Sequence, residues 1–147
     1  MTRKDTFQLR RVVGSVRRDM NAMRFRAKYV SASGNGDYYQ VAFENTDPAG
    51  DAAGVDGPDN PYLVIQCQFE EPDGGRCYVE THDEKYIGHF RLRSIEFSPS
   101  RLLVEIARDR KNRIEVVFDI EPPKFEEMQR VIDIISGKSS PDDGHAR

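Results

Sequence analysis

The sequence predicts an α+β domain in which an antiparallel β-meander sheet carries a C-terminal helix packed on one face. Short runs of alternating apolar and polar side chains recur between residues 23 and 120, and a helical apolar pattern follows residue 121. Most segments between the runs are short and rich in Gly, Pro, Asn or Asp. Connections of this kind join antiparallel neighbours, so we expect about six to eight consecutive strands in one sheet.

The composition is typical of one folded domain. The chain has 147 residues, of which 37% are hydrophobic and 32% charged, enough for one core and too few for two ordinary domains. No run approaches the roughly 20 apolar residues of a membrane helix, and the first residues lack the apolar core of a secretory signal. These features predict a cytoplasmic protein. Two cysteines, Cys67 and Cys77, provide no zinc tetrad, and we expect both to be reduced in that compartment.

Residues 1–22 are predicted to be a basic extension that is poorly ordered, ahead of a single domain at 23–137 and a flexible tail at 138–147. Apolar residues in the extension also fall at helical spacing: Leu9, Val12, Val13, Val16 and Met20. A basic amphipathic helix here would suit a nucleic-acid arm or a membrane-surface segment, although Gly14 weakens the helix.

The first two strands are predicted from alternation with a period of two. Phe25, Ala27 and Tyr29 share one side of a strand that begins at Met23. A turn at residues 34–36 leads into a second strand, whose inward residues are Tyr39, Val41 and Phe43. The loop at 44–61 holds three prolines and hardly any large apolar side chain. A loop of that length in a compact domain is usually functional or disordered.

The next two runs, 62–69 and 77–81, form a hairpin around the Asp73-Gly74 turn. Alternation sends one set of residues inward: Leu63, Ile65, Cys67, Phe69, Cys77 and Val79. Glu80 then points outward with Gln66 and Tyr78. The same count from the turn makes Cys67 and Cys77 near-opposite and on one side, within reach of a bond.

The rest of the chain predicts three more strands and the helix. A strand over 86–97 contains Gly88, which indicates a bulge, and strands over 102–107 and 114–120 follow. Pro122 and Pro123 open a helix at 122–136, where a missing N–H costs nothing, and Gly137 ends it. The apolar stripe of this helix, Phe125, Met128, Ile132 and Ile135, is expected to cover one face of the sheet.

Charge is segregated along the chain. Residues 1–30 carry nine Lys or Arg and two Asp, whereas residues 37–86 carry twelve Asp or Glu against Arg76 and Lys85. An acidic segment of this density repels nucleic acid and attracts basic surfaces. A solvated, loop-rich face would explain the same pattern without any partner.

Other residues indicate alternatives to protein binding. Carboxylates and imidazoles cluster at Glu80, His82, Asp83 and His89, which indicates either a metal site or acid–base chemistry, but a turn separates the two histidines. Cys77 points inward, where thiolate formation is disfavoured, so we expect no nucleophile there. Nor does any Gly-rich phosphate loop indicate a cofactor.

Aromatic residues beside Arg24, Arg26 and Lys28 imitate a stacking platform for single-stranded nucleic acid. Alternation buries Tyr39 and Phe43, however, and the acidic segment opposes a polyanion. A nucleic-acid partner is therefore the weaker alternative.

Short motifs in the middle of the chain resemble the tenth of the numbered families of predicted bacterial immunity proteins. The motifs are Tyr62-Leu-Val-Ile-Gln66, Tyr78-Val79-Glu80, Tyr86-Ile87-Gly88, Ile95-Glu96-Phe97-Ser98 with Arg101-Leu102, and the run at 114–118. The resemblance covers residues 23–136. Cys67 stands where the family has arginine, and His89 and Phe90 follow Gly88 where it has a second glycine.

The resemblance implies a non-catalytic α+β protein that binds and neutralises a cognate bacterial toxin, with no cofactor, no metal and no catalytic residues. A toxin that is a basic nuclease would match the acidic segment, which can act as a nucleic-acid mimic. The residues we predict to contact it, from the outward strand positions and the two ends of the hairpin, are Glu70, Glu71, Asp73, Glu80, His82, Asp83, Glu84 and Tyr86.

Overall fold

The structure, a computed structural model, describes residues 22–34, 38–46, 60–68 and 76–138. The strands in these ranges are β1 Ala22–Arg26, β2 Tyr29–Gly34, β3 Tyr38–Glu44, β4 Tyr62–Gln68, β5 Arg76–Thr81, β6 Gly88–Ser98, β7 Arg101–Ile106 and β8 Arg113–Val117. A 3-10 helix, Glu84–Tyr86, precedes β6, and the α-helix α1 spans Pro122–Ile135. The predicted α+β class with a C-terminal helix is confirmed.

The strands form one eight-stranded sheet in the order β1-β8-β7-β6-β5-β4-β3-β2. Strands β2 to β8 are an antiparallel meander, as predicted. Strand β1 departs from the prediction, because it pairs in parallel with β8, where Met23 lies opposite Ile114. The first and the last strand of the described ranges therefore pair in the sheet.

The predicted strand that begins at Met23 divides at Ala27. The Ala27 N–H donates to the Val117 carbonyl at 2.9 Å, and the next N–H, of Lys28, donates to the Glu44 carbonyl at 2.9 Å. These carbonyls belong to strands near opposite ends of the strand order, so the sheet curls until its edges meet. Tyr29 is 39% exposed, and the prediction that it shares a side with Phe25 and Ala27 is wrong because the chain changes partner strand between them.

One core fills the inner face of the curled sheet, which is the face that carries α1. The inward residues predicted for β3, β4 and β5 are buried there, while Phe69 lies outside the described residues. Phe118 is central: its ring stacks on Phe43 with centroids 5.5 Å apart, and Phe97 lies 5.8 Å from it. Phe97 in turn stacks on Phe125 of α1 at 5.2 Å, which joins the helix to the sheet.

Helix α1 packs against β2 and β3 through a stripe of buried residues, namely Met128, Val131, Ile132, Ile134 and Ile135. It begins at Pro122, as predicted, and ends in a Schellman motif at Gly137, whose φ is +87°. The Gly137 N–H donates to Ile134 and the Lys138 N–H to Asp133, so the last carbonyls are paired. At fourteen residues, α1, the one α-helix of the described ranges, does not meet the length and hydropathy of a membrane span.

The bulge predicted at Gly88 lies further along β6. Gly88 itself pairs with Val79 of β5, and the register shifts between Leu92 and Ser94. Gly88 has a φ of +154°, a conformation that side chains rarely adopt, and a Cβ there would lie 3.1 Å from the Phe90 ring. Glycine at this position therefore allows a backbone conformation that a residue with a side chain would adopt only with strain.

A disulfide joins Cys67 of β4 to Cys77 of β5, with Cα atoms 4.9 Å apart. The two strands are paired with Gln66 opposite Tyr78, so the cysteines occupy the next opposite positions, on the inner face. The predicted proximity is confirmed, whereas the prediction that both thiols are reduced is wrong in this structure. The two side chains are buried on the same face of adjacent strands and at opposite register positions, which brings their sulfur atoms within bonding distance.

Arg108, after β7, connects the β7–β8 turn to the 3-10 helix. Its guanidinium donates to the Lys111 carbonyl at 2.7 Å and to the Lys85 carbonyl at 2.9 Å. It also lies over the Phe90 and Tyr86 rings, at 4.7 and 5.6 Å from their centroids. The Arg108 guanidinium therefore holds the β7–β8 turn and the 3-10 helix together at this end of the sheet.

Gly34 offers a test of the β2–β3 packing, because the Tyr39 ring lies directly across it. A Cβ at this position would lie 2.9 Å from Cγ of Tyr39, and the buried ring cannot move away cheaply. We expect Gly34→Ala to lower the free energy of unfolding by about 1–3 kcal/mol, measured by urea denaturation. Ser33→Ala, at the exposed neighbouring position, is the control and should change it little. Equal stability of the two variants would contradict this packing.

Candidate functional site

The outer face of strands β3 to β6 carries mostly polar and aromatic side chains, grouped around Ala42 and Val64, whereas the inner face is apolar. We call this surface the tyrosine face, and its members are Tyr38, Gln40, Tyr62, Gln66, Tyr78, Glu80 and His89. All are half-buried except His89, which is exposed. Successive strands contribute side chains at adjacent register positions, so the residues form one continuous surface.

Glu80 is the centre of one half of the tyrosine face. Its carboxylate accepts from the Tyr62 hydroxyl at 2.9 Å and from the Tyr78 hydroxyl at 3.1 Å, one on each oxygen. Hydrogen bonds to an ionised acceptor are stronger than neutral ones. Burial raises the pKa of Tyr78 above its ordinary value, and the hydrogen bond to Glu80 and its negative charge raise it further. The Tyr78 hydroxyl therefore keeps its proton at neutral pH and remains a donor.

The other half of the face is held by a second chain of hydrogen bonds. The Tyr38 hydroxyl donates to Oε1 of Gln40 at 2.6 Å, and Nε2 of Gln66 donates to the same oxygen at 2.9 Å. The His89 ring lies against Tyr78, with centroids 5.2 Å apart. The side chains of four neighbouring strands thus fix one another's orientation.

His82, a predicted contact residue, lies between strands instead of projecting from the surface. The Tyr62 backbone N–H donates to its Nδ1 at 3.2 Å. Its ring meets Phe25 of β1 edge-on at 5.7 Å. His82 therefore packs where β1, β4 and β5 approach one another, and it is only half-buried.

Asp83 and Glu84 lie in the turn after β5. Asp83 caps the 3-10 helix, since its Oδ1 accepts from the Lys85 N–H at 3.0 Å, and its carboxylate also lies 3.7 Å from the Lys85 Nζ. Its own N–H donates to Oγ1 of the buried Thr81 at 3.0 Å. Glu84 is exposed. The charge of Glu84 can therefore be changed without removing the cap of the 3-10 helix, whereas that of Asp83 cannot.

Tyr86 is a correction to the predicted set of contact residues. Its side chain is 3% exposed and belongs to the core, because the turn of 3-10 helix rotates it inward. Burial raises the pKa of its phenol, the charge of Asp83 raises it further, and that of Arg108 lowers it. Tyr86 therefore supports the turn from beneath and is not a contact residue.

Three of the predicted contact residues, Glu70, Glu71 and Asp73, lie outside the described residues, as do the basic segment at 1–21 and the loop residues 47–59. Of the twelve acidic residues between 37 and 86, the structure describes four, namely Glu44, Glu80, Asp83 and Glu84. The acidic binding surface consequently remains a prediction.

The alternative site at Glu80, His82, Asp83 and His89 is not gathered into one cluster. Glu80 and His89 belong to the tyrosine face, whereas His82 and Asp83 have separate partners. Across the described ranges, no group of three or more His, Cys, Asp or Glu side chains has the arrangement of a metal site. Tyr39 and Phe43 are buried, as alternation predicts, so they are not a stacking platform for bases.

Comparison of the chain with protein-family models and with curated proteins finds no match.

The two tyrosine–carboxylate bonds predict a measurable coupling. We expect Tyr62→Phe to lower the free energy of unfolding by about 1 kcal/mol, less than a fully buried bond to a charged group because the site is half-open to water. In the Glu80→Gln background the same change should cost less, because the acceptor is no longer charged. The measurement is a double-mutant cycle by urea denaturation.

Tyr29→Phe is the matched control for this cycle, since Tyr29 is exposed on β2. Its effect should be close to zero in both backgrounds. Additive effects of Tyr62→Phe and Glu80→Gln would show that the hydroxyl and the carboxylate do not interact.

Proposed function

We propose that this chain is a non-catalytic immunity protein, which binds and neutralises a cognate bacterial toxin. The observation that carries the proposal is the tyrosine face, with three half-buried tyrosines held by hydrogen bonds across paired strands. Tyrosine is enriched in binding surfaces because it provides a large contact area with few rotatable bonds. The motif resemblance to immunity proteins supports the same function and includes Tyr62, Gln66, Tyr78 and Glu80.

Pre-organisation is the physical reason that such a face favours binding. Association costs free energy when side chains must be ordered at the interface, and that cost falls when they are already held. Tyr62 and Tyr78 are held by one carboxylate, and Gln40 joins Tyr38 to Gln66. A partner would therefore meet a surface that is largely in its bound arrangement.

The same geometry makes a catalytic role for Glu80 the weaker alternative. Each of its oxygens accepts a tyrosine hydroxyl, so hydrogen bonds occupy both of the oxygens that a general base would use. In this proposal, Glu80 positions the two tyrosines and the partner contacts their rings.

The test begins with recovery of the partner by a pull-down from the bacterium that makes the chain, followed by titration calorimetry. We expect Tyr78→Ala to weaken binding by about 10- to 100-fold, the usual effect of losing a tyrosine at the centre of an interface. Tyr29→Ala, on the exposed edge strand β2, is the matched control and should bind normally. Circular dichroism establishes that both variants are folded. Unchanged affinity of Tyr78→Ala would exclude the tyrosine face as the binding surface.

A second prediction concerns three acidic members of the predicted contact set. Reversing Glu70, Glu71 and Glu84 to Lys should slow association with a basic toxin and reduce its dependence on salt, because exposed charges act by steering. Asp83 is left unchanged because it caps the 3-10 helix. The measurement is stopped-flow binding at two salt concentrations.

The control for this charge reversal is Glu126→Lys with Glu127→Lys, two exposed positions on α1. Association that is as fast for the triple variant as for the control would contradict the acidic-steering mechanism, and the titration of Tyr78→Ala would still test the binding face.

A further inference from the structure

A cavity of about 360 Å³ opens between the C-terminal end of α1 and the bulge of β6, and Cys77 lies in its wall. Its other apolar lining comes from Leu92, Ile95 and Ile135. Cys77 is 5% exposed and is bonded to Cys67, which does not line the cavity. One of the two cysteines of the disulfide therefore lines a space large enough for a small molecule.

Of the residues that the structure describes, two cations, Arg93 and Lys138, line this cavity and form what we call its rim. Arg93 shares its charge with Glu105 at 2.8 Å, whereas Lys138 is exposed. The field at the entrance favours a negatively charged ligand.

We propose that this cavity is a thiol–disulfide exchange site, at which a small thiol bearing carboxylates opens the Cys67–Cys77 bond. The inference rests on three features together: a disulfide, a cavity lined by one of its two cysteines, and a cationic rim. It is independent of the tyrosine face and of any toxin.

The exchange proceeds in two steps. The thiolate of the ligand attacks Sγ of Cys77 and forms a mixed disulfide there, while the bond to Cys67 breaks and Cys67 leaves as a thiolate, which takes a proton from water. A second thiolate attacks the ligand sulfur of the mixed disulfide and releases Cys77. In sum, two ligand thiols are oxidised to one disulfide, and the protein disulfide is reduced to two thiols.

The geometry predicts which cysteine carries the mixed disulfide. Because the cavity reaches Cys77, the Cys67→Ser variant should trap glutathione on Cys77 when it is mixed with glutathione disulfide. The Cys77→Ser variant should react much more slowly, since Cys67 does not line the cavity. Mass spectrometry of the intact protein measures both rates. Equal rates would overturn the assignment of the attacked sulfur.

The charge of the rim is tested with the full chain, purified without reductant. Bond opening is followed by quenched alkylation with glutathione, with neutral 2-mercaptoethanol and with cationic cysteamine, each compared at equal thiolate concentration. We expect Lys138→Glu to slow opening by glutathione several-fold, to speed opening by cysteamine, and to leave 2-mercaptoethanol unchanged. Lys124→Glu, near the other end of α1, is the matched control and should change none of the rates. A Lys138→Glu variant that behaves like this control would overturn the proposal that the rim selects an anionic thiol.

The rate law provides a second criterion. Opening through the cavity should be proportional to thiol concentration in the folded protein. A rate that is independent of thiol and equal to the rate of global unfolding would overturn the proposal. If the purified chain carries two free thiols, the reaction is run in reverse with glutathione disulfide, and failure to close the bond would overturn it equally.

Discussion

The structure depends on the closure of the sheet at two neighbouring residues. Ala27 and Lys28 donate consecutive N–H groups to carbonyls that lie near opposite ends of the strand order. An open sheet would leave the inner apolar face uncovered beyond the reach of one fourteen-residue helix. Closure brings Phe43 and Phe118 into contact, and the stacked rings of Phe97 and Phe125 then join the sheet to α1. The same closure also curves the outer face, which carries the tyrosines.

Alternation within single strands predicted much of this arrangement. It placed Leu63, Ile65 and Val79 inward and Glu80 outward, because a strand with one buried face must show a period of two. It could not show that the chain changes partner strand at Ala27, since the apolar period continues through Tyr29. The parallel pairing of β1 with β8 was missed for the same reason: it depends on residues far away in the sequence.

The candidate site, like the fold, could be predicted where it depends on one strand but not where it depends on residues far apart in the sequence. Gln66, Tyr78 and Glu80 are predicted on one face from their own strands, but the register of β4 against β5 brings Tyr62 to Glu80. Tyr86 was assigned wrongly because a single turn of 3-10 helix breaks the strand period. The disulfide lies one register position beyond Gln66 and Tyr78, so one pair of strands links the core cross-link to the tyrosine face.

The parallel pair of β1 and β8 has a consequence for the order of folding. Its partners are about 90 residues apart in the chain, whereas most of the meander strands pair with neighbours joined by short connections. Local contacts form quickly, and distant ones must first overcome the entropy of closing a long loop. Strands β2 to β8 can therefore assemble before β1 docks. On the ribosome, β1 emerges well before its partner β8, and its apolar residues Met23 and Phe25 stay available to chaperones until residue 117 has also left the ribosome.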